Sequence, residues 1–220
     1  QQVGGFINGV GPQRGPHEVP DEFFLQVLDD HLIRPGPEGF FLQSLDFWQH
    51  VQIHRGTKPE SSTIIGNDNF FMNHAHIAHN CEVGDGAVIA GGALLAGYVH
   101  VGDGAFISGN CVVHQFVRIG KLAMLRGLSR TSRDVPPFCI MDDTHTVKAI
   151  NQLGLERAGY SEGEIRAIRE AFAQLFRRKG NLALAVQELE SSDPLSKEVV
   201  YLLDFIKSSE RGVCFGPRGR

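Results

Sequence analysis

Val83-Gly84-Asp85-Gly86-Ala87-Val88-Ile89-Ala90-Gly91-Gly92-Ala93-Leu94-Leu95-Ala96-Gly97-Tyr98-Val99-His100-Val101 places a large apolar residue at every sixth position. Outward from it, positions 65, 71, 77, 83, 89, 95, 101, 107, 113, 119 and 125 read Ile, Phe, Ile, Val, Ile, Leu, Val, Ile, Val, Ile and Leu without a miss. Gly66, Gly84, Gly102 and Gly120 recur on a beat of eighteen. A helix needs a period near 3.6 and an ordinary strand a period of 2. Six is neither, but three sixes make eighteen. That is the period of a left-handed parallel β-helix of hexapeptide repeats, in which three short strands form one triangular turn and the turns stack. Each sixth residue then points into the prism and stacks on the residue eighteen further on, Ile65 with Val83 and Ile77 with Leu95. Glycines such as Gly66 and Gly84 fall at tight corners where a Cβ crowds the backbone or φ is positive.

The beat divides the chain. Residues 1–50 stand outside it, punctuated by Gly, Pro and His around the patches Phe23–Leu28 and Phe40–Phe47. Asp21 to Leu32 is read as a short helix. The prism is expected over 51–137, interrupted by a polar loop at Lys58 to Ser62, regular to about Leu125, and closed by Pro136-Pro137 because prolines cannot continue a ladder. A helical domain is expected over 138–220. Ser161 and Glu164 form a capping box, and Ile165, Ile168, Ala171, Phe172, Leu175 and Phe176 follow helical spacing. Further helices are predicted over Leu182–Leu189 and from Pro194 to about Lys207.

A net charge of −4 gives no general attraction to nucleic acid. No run of eighteen apolar residues is present, so no membrane span is expected. No signal-peptide pattern is visible, while the opening at Gln1 without Met leaves room for a leader trimmed or not included. Four well-separated cysteines show no C-x-x-C pair and read as reduced thiols of a cytoplasmic protein, with Cys81 and Cys111 packing as small residues.

Histidines concentrate in Asn73-His74-Ala75-His76-Ile77-Ala78-His79-Asn80, followed by Val113-His114-Gln115-Phe116. In the eighteen-residue register His79, Gly97 and Gln115 share one column, and His114 lies in the adjoining one with Ala78. A histidine can act as general base on a hydroxyl, and a glycine N–H on the next turn can stabilise an oxyanion. Solvated surface histidines, or a metal shared between subunits, are the other readings of the cluster; a single chain does not easily surround a zinc, because His79 has passed a corner relative to His74 and His76. Prisms with flat faces associate side by side, and a homotrimer with clefts between neighbours is the expected assembly.

The stretches Ile53-His54-Arg55-Gly56-Thr57, Ala75-His76-Ile77-Ala78-His79-Asn80-Cys81, Leu95-Ala96-Gly97, Val113-His114-Gln115-Phe116 and Asp134-Val135-Pro136-Pro137, with Gly154-Leu155-Glu156-Arg157-Ala158-Gly159 and Ser209-Glu210-Arg211-Gly212, resemble the UDP-N-acetylglucosamine O-acyltransferases over about residues 51–212. The resemblance implies transfer of a (3-hydroxy)acyl chain from acyl carrier protein to the sugar 3-position, the first step of lipid A biosynthesis, with no cofactor and no metal. It implies His79 as catalytic base and Gly97 as oxyanion donor. His76, Asn80, His114 and Gln115 fall at substrate-binding positions, and Asn151 and Arg157 on the nucleotide side. Met124, Gly127 and His145 match the acyl groove, and a glycine at 127 leaves that groove open to longer chains. The basic run Arg118, Lys121, Arg126, Arg130 and Arg133, with the helical domain, either receives the acidic carrier protein or is a solvated face. Departures from the family pattern are Asn80 where Asp is common, Tyr98 where His is found, Leu153 in place of an acidic residue, and residues 1–50, which do not resemble the family's further turns. The related N-acyltransferases and a non-catalytic trimeric binding scaffold are the alternatives.

Overall fold

The structure is a computed structural model that describes residues 46–47, 50–178, 180–192 and 194–217 of the chain. The helix expected over Asp21–Leu32 lies outside the described residues.

Two-residue strands six positions apart build three parallel sheets that form the faces of a prism. The first face stacks Asp46–Phe47, Phe70–Phe71, Val88–Ile89, Phe106–Ile107 and Met124–Leu125. Gln52–Ile53, His76–Ile77, Leu94–Leu95, Val112–Val113 and Arg130–Thr131 form the second. Ile64–Ile65, Glu82–Val83, His100–Val101 and Arg118–Ile119 form the third. The pairings Ile65 with Val83 and Ile77 with Leu95 are those the beat requires. All eleven sixth-position residues are buried. Alternation within each strand sends the preceding residue outward, so the apolar column inside the prism is continuous while the faces present His76, Glu82 and Arg118.

The corners have a simple cause. Positive φ recurs at Asp68, His74, Asn80, Gly86, Gly92, Tyr98, Gly104, Asn110, Phe116, Leu122 and Leu128, every sixth residue. The column of Gly66, Gly84, Gly102 and Gly120 lies elsewhere, and those glycines are needed for space. A Cβ on Gly120 would meet Pro137 N at 2.4 Å, and one on Gly66 would meet Gly84 C at 2.7 Å.

The ladder extends past both expected limits. Asp46–Phe47 pairs with Phe70–Phe71, before Val51. Arg130–Thr131 continues the second face beyond Leu125. Pro136 and Pro137 occupy a corner rather than closing the ladder: Cys139–Asp142 resumes it in parallel with Met124–Leu125, and Thr146–Ile150 returns antiparallel to it. The register also lengthens once. Gln52 and His76 are partners 24 residues apart where the rule is 18, because the 54–62 loop adds one hexad.

The C-terminal part holds α1 (Gln152–Arg157), α2 (Glu162–Phe172), α3 (Leu182–Glu190) and α4 (Lys197–Lys207). Ser161 and Glu164 make the expected capping box at α2, which passes into a π-helical turn at Ala173–Arg177. Arg118 ties α4 to the prism. Its guanidinium pairs with buried Asp134 at 3.0 Å, donates to Phe205 O at 2.9 Å and to Ser208 Oγ at 3.1 Å, and lies over the Phe205 ring. Asp134 also accepts from Ser209 Oγ at 2.8 Å. All four cysteines are free and buried, and burial pushes the Cys81 and Cys214 thiols up to about 11. Among the described residues, no helix is long and apolar enough to cross a membrane.

Candidate active site

His79 sits at a corner, half-buried, between the second and third faces. Gly97 occupies the same corner one turn on: Tyr98 N donates to His79 O at 3.0 Å, and Phe116 N to Gly97 O at 3.1 Å. That places His79, Gly97 and Gln115 in one column. A Cβ on Gly97 would come within 2.5 Å of His79 Cε1 and 2.8 Å of Nε2, so the imidazole lies directly against the glycine backbone. At the equivalent corner position elsewhere in the prism, Asn67 N–H donates to Asp85 Oδ1 and Asp85 N–H to Asp103 Oδ1. Gly97 N–H has no such acceptor among the described residues.

Behind His79 the corner is locked. Asn80 takes φ +62°, a conformation asparagine tolerates better than most residues, and its N–H donates to Thr63 Oγ1 at 2.9 Å. Its amide oxygen lies 3.0 Å from His79 Nδ1 and accepts from Thr57 N at 3.2 Å and Thr57 Oγ1 at 3.1 Å. Asn80, expected at a substrate-binding position, is therefore 8% exposed and turned to the imidazole. Tyr98 stands edge-on to the His79 ring at 5.4 Å between centroids and stacks on Phe116 at 4.8 Å, giving the corner an aromatic wall.

His76 lies on the second face with Nδ1 3.1 Å from Gln52 Oε1 and its ring 4.8 Å from that of His54. Burial, and then the neighbouring His54, push its pKa below the ordinary value, which favours the neutral ring. Ala78, Ala96 and His114 form the column next to His79. His114 and Gln115 are exposed, and Arg211, arriving after α4, brings Nη2 to 3.3 Å from His114 Nδ1 while its Nε donates to Ser132 O.

The other expected residues lie apart from this corner. Met124 is on the first face, and Gly127 is exposed on the edge between the first and second faces. His145 Nε2 is 3.2 Å from Ser132 Oγ, while its buried Nδ1 has no partner among the described residues. Burial, then Arg133 and Arg130, lower its pKa. It borders a cleft of about 580 Å³ with Arg133, Thr144, Thr146, Lys148 and Phe215, a wall more basic than an acyl chain alone requires. Asn151 caps α1, accepting from Gly154 N at 3.1 Å and donating to Leu122 O at 2.9 Å. Arg157 is exposed in the last turn of α1.

The basic run does not form one face. Arg118 is held by Asp134 and α4, Arg126 pairs with Asp142 at 3.1 Å, Arg130 lies on the second face, and Arg133 faces Phe215. The spacing in sequence walks around the prism, so these side chains point in different directions. Among the described residues, no three His, Cys, Asp or Glu side chains come together as metal ligands. Thr57 and Arg211 stand in stretches that carry the resemblance, but the sequence assigns neither a role. Thr57 lies in the non-repeating loop, and Arg211 is 97 residues from His114, so neither has a periodic signal.

Residues 62–97 match the bacterial transferase hexapeptide (six repeats) family, and residues 134–214 match the family described as UDP N-acetylglucosamine O-acyltransferase, domain 2. The acyl-(acyl-carrier-protein)–UDP-N-acetylglucosamine O-acyltransferase of Gloeothece citriformis is 42% identical over 164 residues, covering 73% of this chain and 58% of the relative. The crystal structure of the Arabidopsis UDP-N-acetylglucosamine acyltransferase superposes with a TM-score of 0.72 at 32% identity, over 78% of this chain and 64% of that one. LpxA from Acinetobacter baumannii gives a TM-score of 0.70 at 32% identity, over 79% of this chain and 70% of that one. Stacked hexapeptide coils followed by a helical C-terminal part define a protein of the left-handed parallel β-helix class. Within that class, the chain belongs to the UDP-N-acetylglucosamine O-acyltransferase family. It spans about three fifths of the length of the first curated relative, 58%.

Proposed function

We propose that this chain transfers a (3-hydroxy)acyl group from acyl carrier protein to the 3-hydroxyl of UDP-N-acetylglucosamine, the opening step of lipid A biosynthesis, as a cytoplasmic homotrimer. The observation that carries this reading is the imidazole of His79 lying against Gly97, whose N–H has no acceptor among the described residues. His79 Nε2 takes the proton of the sugar hydroxyl as its oxygen attacks the thioester carbonyl. A C–O bond forms, and the carbonyl oxygen, now negative, is met by the Gly97 N–H. The intermediate collapses with cleavage of the C–S bond, and the proton on the imidazole passes to the leaving thiolate. The products are the 3-O-acyl sugar nucleotide and the free carrier thiol.

The separation of the site residues within one chain supports an assembly in which a neighbouring copy completes the site. Met124 and Gly127 belong to other edges than His79, so an acyl chain that reaches both needs a neighbouring copy. His76, His114 and Gln115 flank the sugar side, and Arg157 suits a phosphate. The test is transfer from acyl carrier protein to UDP-N-acetylglucosamine by wild type and His79→Ala. Transfer abolished by the substitution supports the reading. Nucleotide binding without transfer in the wild type would make the chain a scaffold, and transfer only to a 3-O-acylated glucosamine would make it the N-acyltransferase.

A further inference from the structure

The amide that backs His79 raises a problem that a carboxylate would not. Both ends of a carboxylate accept hydrogen bonds, so either orientation draws a proton to the facing imidazole nitrogen. An asparagine has an accepting and a donating end. With its oxygen toward His79, Nδ1 carries the proton and Nε2 keeps the lone pair that a base needs. With its amino group toward the ring, Nδ1 must accept, the proton moves to Nε2, and the base is lost.

We propose that Thr57 selects the working tautomer of His79 by fixing the orientation of Asn80; this rests on His79 acting as the base, as proposed above. A backbone N–H can only donate. Thr57 N at 3.2 Å therefore identifies the nearby Asn80 atom as oxygen, and the Thr57 hydroxyl at 3.1 Å adds a second donor to the same atom. His79 Nδ1, 3.0 Å from that oxygen, becomes the third donor. The reversed amide would bring its own N–H groups against the Thr57 N–H, with no acceptor between them. The backbone on both sides is held. Asn80 N–H is bound to Thr63 Oγ1, whose hydroxyl in turn reaches His54 O at the start of the loop. Gly56 lets the loop fold tightly enough to present Thr57, since a Cβ there would meet Ser61 O. Thr57 is thus a positioning residue, acting through Asn80.

The test compares wild type, Thr57→Val, Thr57→Ser, Asn80→Asp and Thr57→Val/Asn80→Asp, each first checked for folding by circular dichroism. With ¹⁵N-histidine labelling, wild-type His79 is expected to carry its neutral-state proton on Nδ1, and Thr57→Val, which keeps the backbone donor and loses the hydroxyl, to show a measurable fraction on Nε2. In acyl transfer, Thr57→Val should lower kcat roughly three- to tenfold, the scale of one lost neutral hydrogen bond, with KM unchanged, and Thr57→Ser should recover most of the loss. In the Asn80→Asp background the same change should cost less than twofold, because a carboxylate needs no orienting. An equal loss in both backgrounds, or a wild-type proton on Nε2, would overturn the proposal. The labelling measurement needs no turnover. A wild type that transfers no acyl group but holds the proton on Nδ1 would count against the acyltransferase reading and leave the selection by Thr57 standing.

Discussion

Gly97 is a place where the smallest possible change has a calculable result. Its corner carries no positive φ, so the requirement for glycine comes from the ring beside it. In Gly97→Ala the new methyl would overlap His79 Cε1 and Nε2, and the imidazole is the softer partner. It must swing out, losing both its contact with Gly97, the proposed oxyanion donor, and its bond to Asn80. A displacement near 1 Å at a reacting centre costs about a hundredfold. We expect kcat/KM to fall by about that factor while the melting temperature moves little, since the ring swings toward solvent; a large fall in melting temperature would mean that the backbone moved instead. The eighteen-residue register puts His79 and Gly97 in one column from the sequence alone. What it could not supply is the orientation of Asn80, because that depends on a hydrogen bond from a loop that carries no repeat.

At the scale of elements, strands and helices are unequal in how they show themselves. Strands of two residues are too short for propensity to reveal, yet the six-residue beat exposes every one from Ile64 to Leu125. The hairpin of Cys139–Asp142 and Thr146–Ile150 has no such beat, and neither does α1, only six residues long, so the helical domain expected over 138–220 in fact opens with two strands. The two prolines misled for a physical reason: at a corner, where Pro137 packs on Gly120, no ladder hydrogen bond is needed from them. The helices α2, α3 and α4 were legible through their caps and apolar spacing. Their docking was not, because it passes through Arg118, which in sequence belongs to an apparent basic run. Asp134 is 1% exposed and satisfies that guanidinium. Asp134→Ala should therefore cost about 3 kcal/mol or more, the penalty of leaving a part-buried charge alone. Chemical denaturation would read it, and a loss under 1 kcal/mol would show that α4 is held mainly by its apolar contacts.

For the whole molecule, the second face is the surface to watch. Leu94 and Val112 stand outward on it at 44% and 48% exposure, next to His76. A self-associating prism would cover them. Val112→Glu should convert a trimer to monomers in light scattering and abolish transfer, while the prism itself, whose interior is untouched, keeps its circular dichroism. A wild type that is monomeric would remove the proposed acyl path. The 54–62 loop carries a separate consequence. The strands that flank it, Gln52–Ile53 and Ile64–Ile65, each pair in register with the next turn, so the extra residues leave the coil without disturbing its interior. Thr57 is carried on that loop. A change in the loop's length or sequence therefore alters what is presented to Asn80 while the stacked interior keeps its register.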